Sequence, residues 1–135
     1  MKAKTLIRLT RIVPNSLLRL AVLPPTRGIV LGQIFKRMPE MLTPTGRKAT
    51  GVIRFDIGDR DSVDTWYVSL DNGVCGVSRP PETTRPRAKI IVSAFDFVQL
   101  ATGADPIVLF AAGKLRLAGD TYFGASIGEL FDIGG

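Results

Sequence analysis

The chain has 135 residues, of which 45% are hydrophobic and 22% charged, and its net charge is +6. This composition is typical of one folded domain and excludes an intrinsically disordered chain. The sequence contains no histidine and a single cysteine, Cys75, which excludes Ser-His-Asp and Cys-His nucleophiles, the usual zinc sites and an internal disulfide. A lone cysteine favours a reducing compartment, so we expect a cytoplasmic protein. No uncharged apolar run reaches the roughly eighteen residues of a membrane-spanning helix.

The basic residues are concentrated near the amino terminus. Residues 1–48 hold ten Lys or Arg and one acidic residue, whereas residues 49–135 hold eight Lys or Arg and eleven acidic residues. We interpret residues 1–48 as a basic amphipathic helical extension with an anionic partner. By their spacing, four basic residues share one strip of a first helix: Lys4, Arg8, Arg11 and Arg19. Two roles stay open for this helix, contact with an anionic membrane surface or packing of its apolar side on the protein's own core.

The extension is predicted to contain a second helix. Pro24 and Pro25 end the first helix, and Thr26 is expected to cap the second, over residues 27–38. Four apolar side chains share one stripe of it: Leu31, Ile34, Phe35 and Met38. Residues 39–48 contain two prolines and a glycine and are predicted to be a linker.

From Ala49 onward the hydrophobic period changes to two, which is typical of β-strands. The predicted strands are residues 51–57, 64–70, 74–78 and 88–92. Asn72 and Gly73 form a hairpin turn between the second and third strands, because both accept the positive φ of a tight turn. The three strands before the fourth therefore form a meander.

The last third of the chain is predicted to be mostly helical. Ser93 and Asp96 resemble a capping box that opens a helix ending at Gly103. Asp105-Pro106 starts another short helix that ends at Gly113, residues 114–118 form a fifth strand, and a last helix runs from Gly119-Asp120 to Phe131. This order predicts an α+β fold: a five-stranded, mostly antiparallel sheet with helices packed on one face, plus the N-terminal helical extension.

Three segments resemble one protein family by their order and spacing. They are residues 64–73 with a tryptophan and an Asn-Gly turn, residues 93–103 with Ser-Ala-Phe-Asp-Phe and Thr-Gly, and residues 110–120 with Phe-Ala-Ala-Gly-Lys-Leu-Arg-Leu-Ala-Gly-Asp. Together they resemble the sterol carrier protein two (SCP-2) family, over about residues 49–131. Residues 14–18 are also similar to the N-terminal extension of a bacterial branch of that family. Residues 85–87, Arg-Pro-Arg, depart from the family's acidic approach to the fourth strand.

The resemblance implies a lipid tunnel between the sheet and its helices. Family members bind sterols, fatty acids or acyl-CoA and move them between membranes, and the bacterial branch holds a prenylated intermediate of ubiquinone biosynthesis. We therefore expect residues 49–135 to bind a sterol, fatty acid, acyl-CoA or prenyl-quinone-like lipid without a cofactor, at the periphery of a membrane. The candidate lipid-binding residues are Phe55, Trp66, Phe97, Leu100, Leu109, Phe110, Leu115, Phe123, Ile127 and Phe131. The alternative is that these side chains fill a solid core.

Other functions stay as alternatives. The chain could be a scaffold or accessory protein that presents a lipid to a membrane enzyme or a lipid-biosynthesis enzyme, with the extension as its docking surface. We expect no nucleic-acid partner, because no aromatic residues are interleaved with the basic ones. We expect no enzymatic activity, because no pair of carboxylates stands in an apolar setting. The aspartates at residues 56, 59, 61 and 64 lack the spacing of a calcium loop, so we expect no metal site.

Overall fold

The computed structural model describes residues 24–132 apart from residues 60 and 83. The predicted first helix, with Lys4, Arg8, Arg11 and Arg19, lies outside the described residues. The helices are α1 (Pro24–Arg37), a 3₁₀ turn (Met38–Met41), α2 (Pro44–Lys48), α3 (Ala94–Ala101), α4 (Pro106–Ala111), α5 (Thr121–Ala125) and α6 (Ile127–Leu130). The strands are β1 (Gly51–Gly58), β2 (Val63–Asp71), β3 (Val74–Ser78), β4 (Ala88–Val92) and β5 (Leu115–Gly119). Among these helices, none is both long enough and apolar enough to cross a membrane.

The five strands form one mixed sheet in the order β3-β2-β1-β4-β5. The central strand β1 pairs Phe55 with Trp66 on antiparallel β2 and with Ile90 on parallel β4. The β2–β3 and β4–β5 pairs are antiparallel. The sheet is therefore mostly antiparallel, and the predicted α+β fold class with helices on one face is confirmed.

Alternation along the strands gives the sheet one apolar and one polar face. Ile53, Phe55 and Ile57 on β1 are buried, while Arg54 and Asp56 lie between them in sequence and point to the opposite face. Each fully buried side chain of this size contributes about 1.5–3 kcal/mol. The apolar face therefore holds the helical layer on the sheet.

Asp56 is the centre of a charge network on the polar face. Its Oδ1 accepts hydrogen bonds from Arg54 Nε at 3.0 Å and from Thr65 Oγ1 at 2.9 Å, and its Oδ2 lies 3.3 Å from Lys89 Nζ. Burial raises the pKa of Asp56, but the hydrogen bonds from these three residues together outweigh burial and hold the pKa below its ordinary value. The carboxylate is thus engaged by basic partners.

Side-chain caps begin three of the C-terminal helices where the sequence predicts them. Ser93 Oγ accepts from Asp96 N at 3.1 Å, which confirms the predicted N-cap of α3, but it donates to Asp96 Oδ2 at 2.9 Å, so Asp96 contacts the Ser93 hydroxyl rather than the backbone N–H of a full capping box. Asp105 Oδ1 accepts from Ile107 N at 2.8 Å, and Asp120 Oδ1 accepts from Phe123 N at 3.0 Å. These caps satisfy N–H groups that short helices otherwise leave free.

Three predicted boundaries are wrong. α1 begins at Pro24 rather than at residue 27, because proline is well tolerated in the first turn of a helix. Residues 39–48 contain most of the 3₁₀ turn and all of α2, whose N-cap Thr43 accepts from Gly46 N at 3.0 Å. The last helix is divided into α5 and α6 at Ser126, where ψ is 2°. Ser126 Oγ donates to Tyr122 O at 2.8 Å, a contact that competes with continuous helical bonding.

α1 packs on the same core as the sheet. Its Leu31 and Phe35 are wholly buried. At its N-terminal end, Arg27 Nε donates to Asp64 Oδ2 at 2.8 Å and Arg27 Nη2 donates to Ser62 Oγ at 2.7 Å. Residues 24–48 therefore contribute to the core of the sheet domain, while the division of the chain into residues 1–48 and 49–135 stays a prediction.

Candidate functional site

Four aromatic rings form a cluster between α1, α3 and the sheet, which we call the aromatic cluster: Phe35, Phe55, Trp66 and Phe97. Phe35 lies at its centre. Its ring is stacked 4.6 Å from that of Trp66 and 5.2 Å from that of Phe97, and it meets Phe55 edge-on at 5.3 Å. Such pairs add about 0.5–1.5 kcal/mol each beyond the area they bury. The aromatic cluster is thus a strongly packed part of the interior.

Trp66 brings an unpaired polar atom into the aromatic cluster. Its indole Nε1 is buried and has no hydrogen-bond partner among the described residues. The guanidinium carbon of Arg79 stacks 4.2 Å from the Trp66 ring centroid, and Arg79 Nε donates to Thr65 O at 2.9 Å. A buried N–H without an acceptor is costly, by about 1–3 kcal/mol. An oxygen atom of a ligand that reached Trp66 Nε1 would therefore gain a hydrogen bond and remove this cost.

The structure brings nine of the ten candidate lipid-binding side chains into one buried core. These nine are Phe55, Trp66, Phe97, Leu100, Leu109, Leu115, Phe123, Ile127 and Phe131. Phe110 does not join them and is 48% exposed, because Leu109 takes the inward position of α4 and the next residue is rotated by about 100°. Lipid contact by all ten residues stays a prediction.

A groove opens on the outer side of the helical layer. Its volume is about 460 Å³, within the range of about 300–1,000 Å³ for small-molecule pockets. It is lined by Gly103, Ala104, Asp105, Pro106, Ile107, Tyr122, Ala125, Ser126, Gly128 and Glu129. None of the ten candidate residues lines it, so the aromatic cluster and the groove are separate features of the molecule.

The α3–α4 loop, α4, α5 and α6 together form the groove. Ala104 packs against the core and Pro106 is buried, so these two residues form the wall between the groove and the interior. A Cβ atom at Gly128 would lie 3.6 Å from the Pro106 ring, which places α6 close to the start of α4. Sequence periodicity did not indicate the groove, because its lining comes from helix ends and a loop.

The described residues offer neither a cluster of metal ligands nor an activated thiol at the aromatic cluster or the groove. In residues 24–132 without 60 and 83, no group of three or more metal-ligating side chains is gathered. Burial raises the pKa of the Cys75 thiol to about 11, so this cysteine is a poor nucleophile at neutral pH. What the site offers is apolar surface, a groove and one unpaired donor.

The structure is thus a mixed sheet whose apolar face is covered by short helices around an aromatic interior. The chain belongs to the SCP-2 sterol transfer family, whose model matches residues 31–132. This membership confirms the resemblance drawn from the sequence and makes the chain a member of a lipid-binding and lipid-transfer family. The matched region begins within α1.

Two curated relatives are similar to the chain over part of their length. Hydroxysteroid dehydrogenase-like protein 2 of Xenopus tropicalis is 28% identical over 92 residues, which is 67% of this chain and 22% of that protein. Peroxisomal multifunctional enzyme A of Dictyostelium discoideum is 28% identical over 85 residues, 62% of this chain and 19% of that protein. The chain spans about a fifth of the length of these relatives.

Solved structures share the fold. Sterol carrier protein 2 of Yarrowia lipolytica is 20% identical with a TM-score of 0.60, covering 75% of this chain and 86% of its own. A ubiquinone synthesis protein, UbiJ-SCP2, is 17% identical with a TM-score of 0.63, covering 78% and 96%. Palmitated SCP2L2 of Aedes aegypti is 24% identical with a TM-score of 0.55, covering 73% and 87%. At these identities the likeness establishes the architecture.

Proposed function

We propose that the chain binds a sterol-like, fatty-acyl or prenyl lipid in the apolar interior and carries or presents it at membranes, without changing it chemically. The observation that carries this proposal is the unpaired Nε1 of Trp66 inside the aromatic cluster. A lipid with one oxygen-bearing end and a hydrocarbon body matches both parts of this environment. The oxygen accepts from the indole N–H, and the body replaces contacts between apolar side chains.

The free energy of binding at such a site is suited to exchange of lipid between the protein and a membrane. Burying one CH₂ group is worth about 0.8 kcal/mol, and a bilayer offers nearly the same gain. The hydrocarbon body therefore contributes little to the preference for protein over membrane. The preference then depends on the oxygen-bearing end of the lipid and on the cost of displacing packed side chains. A single polar contact can therefore set the affinity.

The first experiment identifies the guest. The purified full chain is extracted with organic solvent and the extract is examined by mass spectrometry, while a fluorescent fatty acid is titrated into the protein and then displaced by sterol, fatty acid or prenyl lipid. We expect a co-purified lipid and saturable, competed binding. Trp66 is the only tryptophan, so its emission reports on the same environment. A protein that carries no lipid and binds no probe contradicts the proposal.

Trp66→Phe tests the role of the indole N–H. This variant keeps an aromatic ring but removes the donor, so a fatty acid should bind about five- to tenfold more weakly, the effect of one hydrogen bond. A hydrocarbon of the same length with no oxygen is the matched control ligand, and its affinity should change by less than about twofold. Equal losses for the two ligands would mean that Trp66 acts through its shape alone.

A second candidate is presentation of a lipid to a biosynthetic enzyme. The architectural likeness to a ubiquinone synthesis protein of nearly matching extent favours it. Native mass spectrometry of a pull-down with the full chain should then find an enzyme of lipid biosynthesis in stable complex. Lipid transfer between vesicles by the isolated chain would favour the carrier over this accessory role.

The location of the protein is part of the proposal. We propose a cytoplasmic protein that attaches to the periphery of an anionic membrane, with Lys4, Arg8, Arg11 and Arg19 as contacts. Each basic residue near such a surface contributes about 1 kcal/mol, reduced by salt. Co-sedimentation with phosphatidylglycerol vesicles should weaken when residues 1–23 are deleted and when salt is raised. Undiminished association of the truncated chain would refute the role of this segment.

A further inference from the structure

The outer surface of α4 is continuously apolar. From Pro106 to Gly113 the sequence has no polar or charged side chain, and six of these eight residues are exposed. Ile107 and Val108 are 53% and 62% exposed, and Phe110 is 48% exposed. Exposure of three large apolar side chains to water on one six-residue helix is unfavourable. Such a surface is typical of a site that contacts a partner molecule or a membrane.

The α4 surface is continuous with the groove and next to a basic residue. Ile107 belongs to both the surface and the groove lining, and Tyr122, which is 81% exposed, lies on the same groove. Lys114 follows the apolar run directly and is exposed. Its backbone N donates to Leu109 O at 2.9 Å, which fixes it at the C-terminal end of α4. Lys114 thus places a cation beside the apolar side chains of α4, where the phosphates of a phospholipid surface would meet it, while the carboxylates of Asp105 and Glu129 lie on the groove.

The size of the surface separates a bilayer from a protein partner. A helix of six residues is about 9 Å long. Only three large apolar side chains of α4 are exposed, Ile107, Val108 and Phe110, whereas a stable protein interface uses roughly 20–30 residues on each partner. By contrast, side chains of interfacial helices enter a membrane by about 5–10 Å, which is the depth that one exposed helix face provides.

We propose that α4 inserts its exposed face into a phospholipid bilayer and thereby sets the adjoining groove against the membrane. This inference rests on the proposed lipid-carrier function and adds the face through which the lipid enters. In this orientation the groove would face the hydrocarbon, and its wall residues Ala104 and Pro106 would lie between the membrane and the buried core.

Two matched valines test the proposal in the full chain. Val108 on α4 is 62% exposed and Val74 on the β2–β3 hairpin is 67% exposed. Val108→Gln should weaken association with phosphatidylcholine vesicles containing one fifth phosphatidylglycerol by about tenfold, whereas Val74→Gln should change it by less than about twofold. Both variants should bind a fluorescent fatty acid like the unchanged protein when vesicles are absent.

A probe at the surface gives a second measurement. An environment-sensitive thiol dye is attached at Ala112→Cys, beside α4, and separately at Asn72→Cys in the hairpin turn, both of which are exposed positions. Vesicles should shift the emission of the dye at residue 112 to shorter wavelength and leave that at residue 72 unchanged. The raised pKa of Cys75, about 11, limits labelling of the natural cysteine at neutral pH.

The outcomes are separable from those of the proposed function. Equal vesicle association of the Val108 and Val74 variants, or emission that shifts equally at both dye positions, overturns the membrane role of α4 even if fatty acid binds normally. Failure to bind any lipid overturns the carrier function instead. Self-association that depends on Val108, with vesicle binding unaffected, would identify α4 as an interface between copies of the chain and also overturns the inference.

Discussion

Phe35→Ala tests whether α1 belongs to the core of the sheet domain. Phe35 has no exposed surface and contacts three other rings at 4.6–5.3 Å between centroids. Truncation of a fully buried phenylalanine costs about 3–5 kcal/mol, because the transfer free energy is lost and a cavity remains. Since small domains have about 5–15 kcal/mol of stability in total, this one change should remove a large part of it.

The measurement is urea unfolding followed by Trp66 fluorescence and by circular dichroism. Phe110→Ala makes the same chemical change at a half-exposed position and should cost about 1 kcal/mol or less. If Phe35→Ala does not fold, Phe35→Leu keeps an apolar side chain and should cost less than Phe35→Ala but more than Phe110→Ala, because the three ring contacts are lost. A loss from Phe35→Ala no larger than that from Phe110→Ala would refute the inclusion of α1 in the core.

Three other changes are measured by the same unfolding assay. Asp64→Asn leaves Arg27 buried without its anion and should cost about 2 kcal/mol, less than a fully buried pair because Asp64 is 24% exposed. Gly46→Ala drives a methyl group into the carbonyl oxygen at the end of α6 and should cost about 2 kcal/mol or more, while Gly128→Ala, with 3.6 Å to its nearest neighbour, should be tolerated. The pKa of Asp56 is lower in the folded state than in the unfolded state. The stability that Asp56 adds is therefore fully present above its unfolded pKa of about 3.9, and it is lost as the pH falls through its lower pKa in the folded state. Asp56→Asn should therefore be less stable than the unchanged protein at pH 7, and the difference should shrink in acid; a difference independent of pH contradicts this.

Strand positions were predictable because alternation and turn chemistry act locally. The fourth strand was predicted at residues 88–92 and is found as Ala88–Val92. The Asn72-Gly73 turn has the positive φ values, 51° and 79°, that its residue types favour. The helix boundaries near prolines were harder, since proline both ends one helix and starts the next. The short α2 has too few residues for a hydrophobic period to appear.

The candidate site is only partly predictable from the sequence, because local patterns do not fix how the helices pack. In α4 every side chain is apolar, so the sequence does not mark which positions face the core. The sequence pattern therefore does not distinguish Leu109 from Phe110, although the first is buried and the second half-exposed. The groove depends on the approach of α6 to α4, as between Gly128 and Pro106, which no local pattern encodes. Burial of the other nine candidates did follow from their periodic positions.

The filled interior constrains how a guest could enter. Phe35 already occupies the space against Trp66 and Phe97, so an acyl chain must displace side-chain contacts rather than fill an empty hollow. Each displaced contact returns part of the about 0.8 kcal/mol gained per buried CH₂, which keeps net affinity close to that of a bilayer. In the proposed function, the Trp66 Nε1 that has no partner among the described residues would add a hydrogen bond that only an oxygen-bearing lipid can accept. Under the proposed function, such a carrier would bind weakly enough to release its lipid, and its selectivity would depend on the polar end of the lipid more than on the length of its chain.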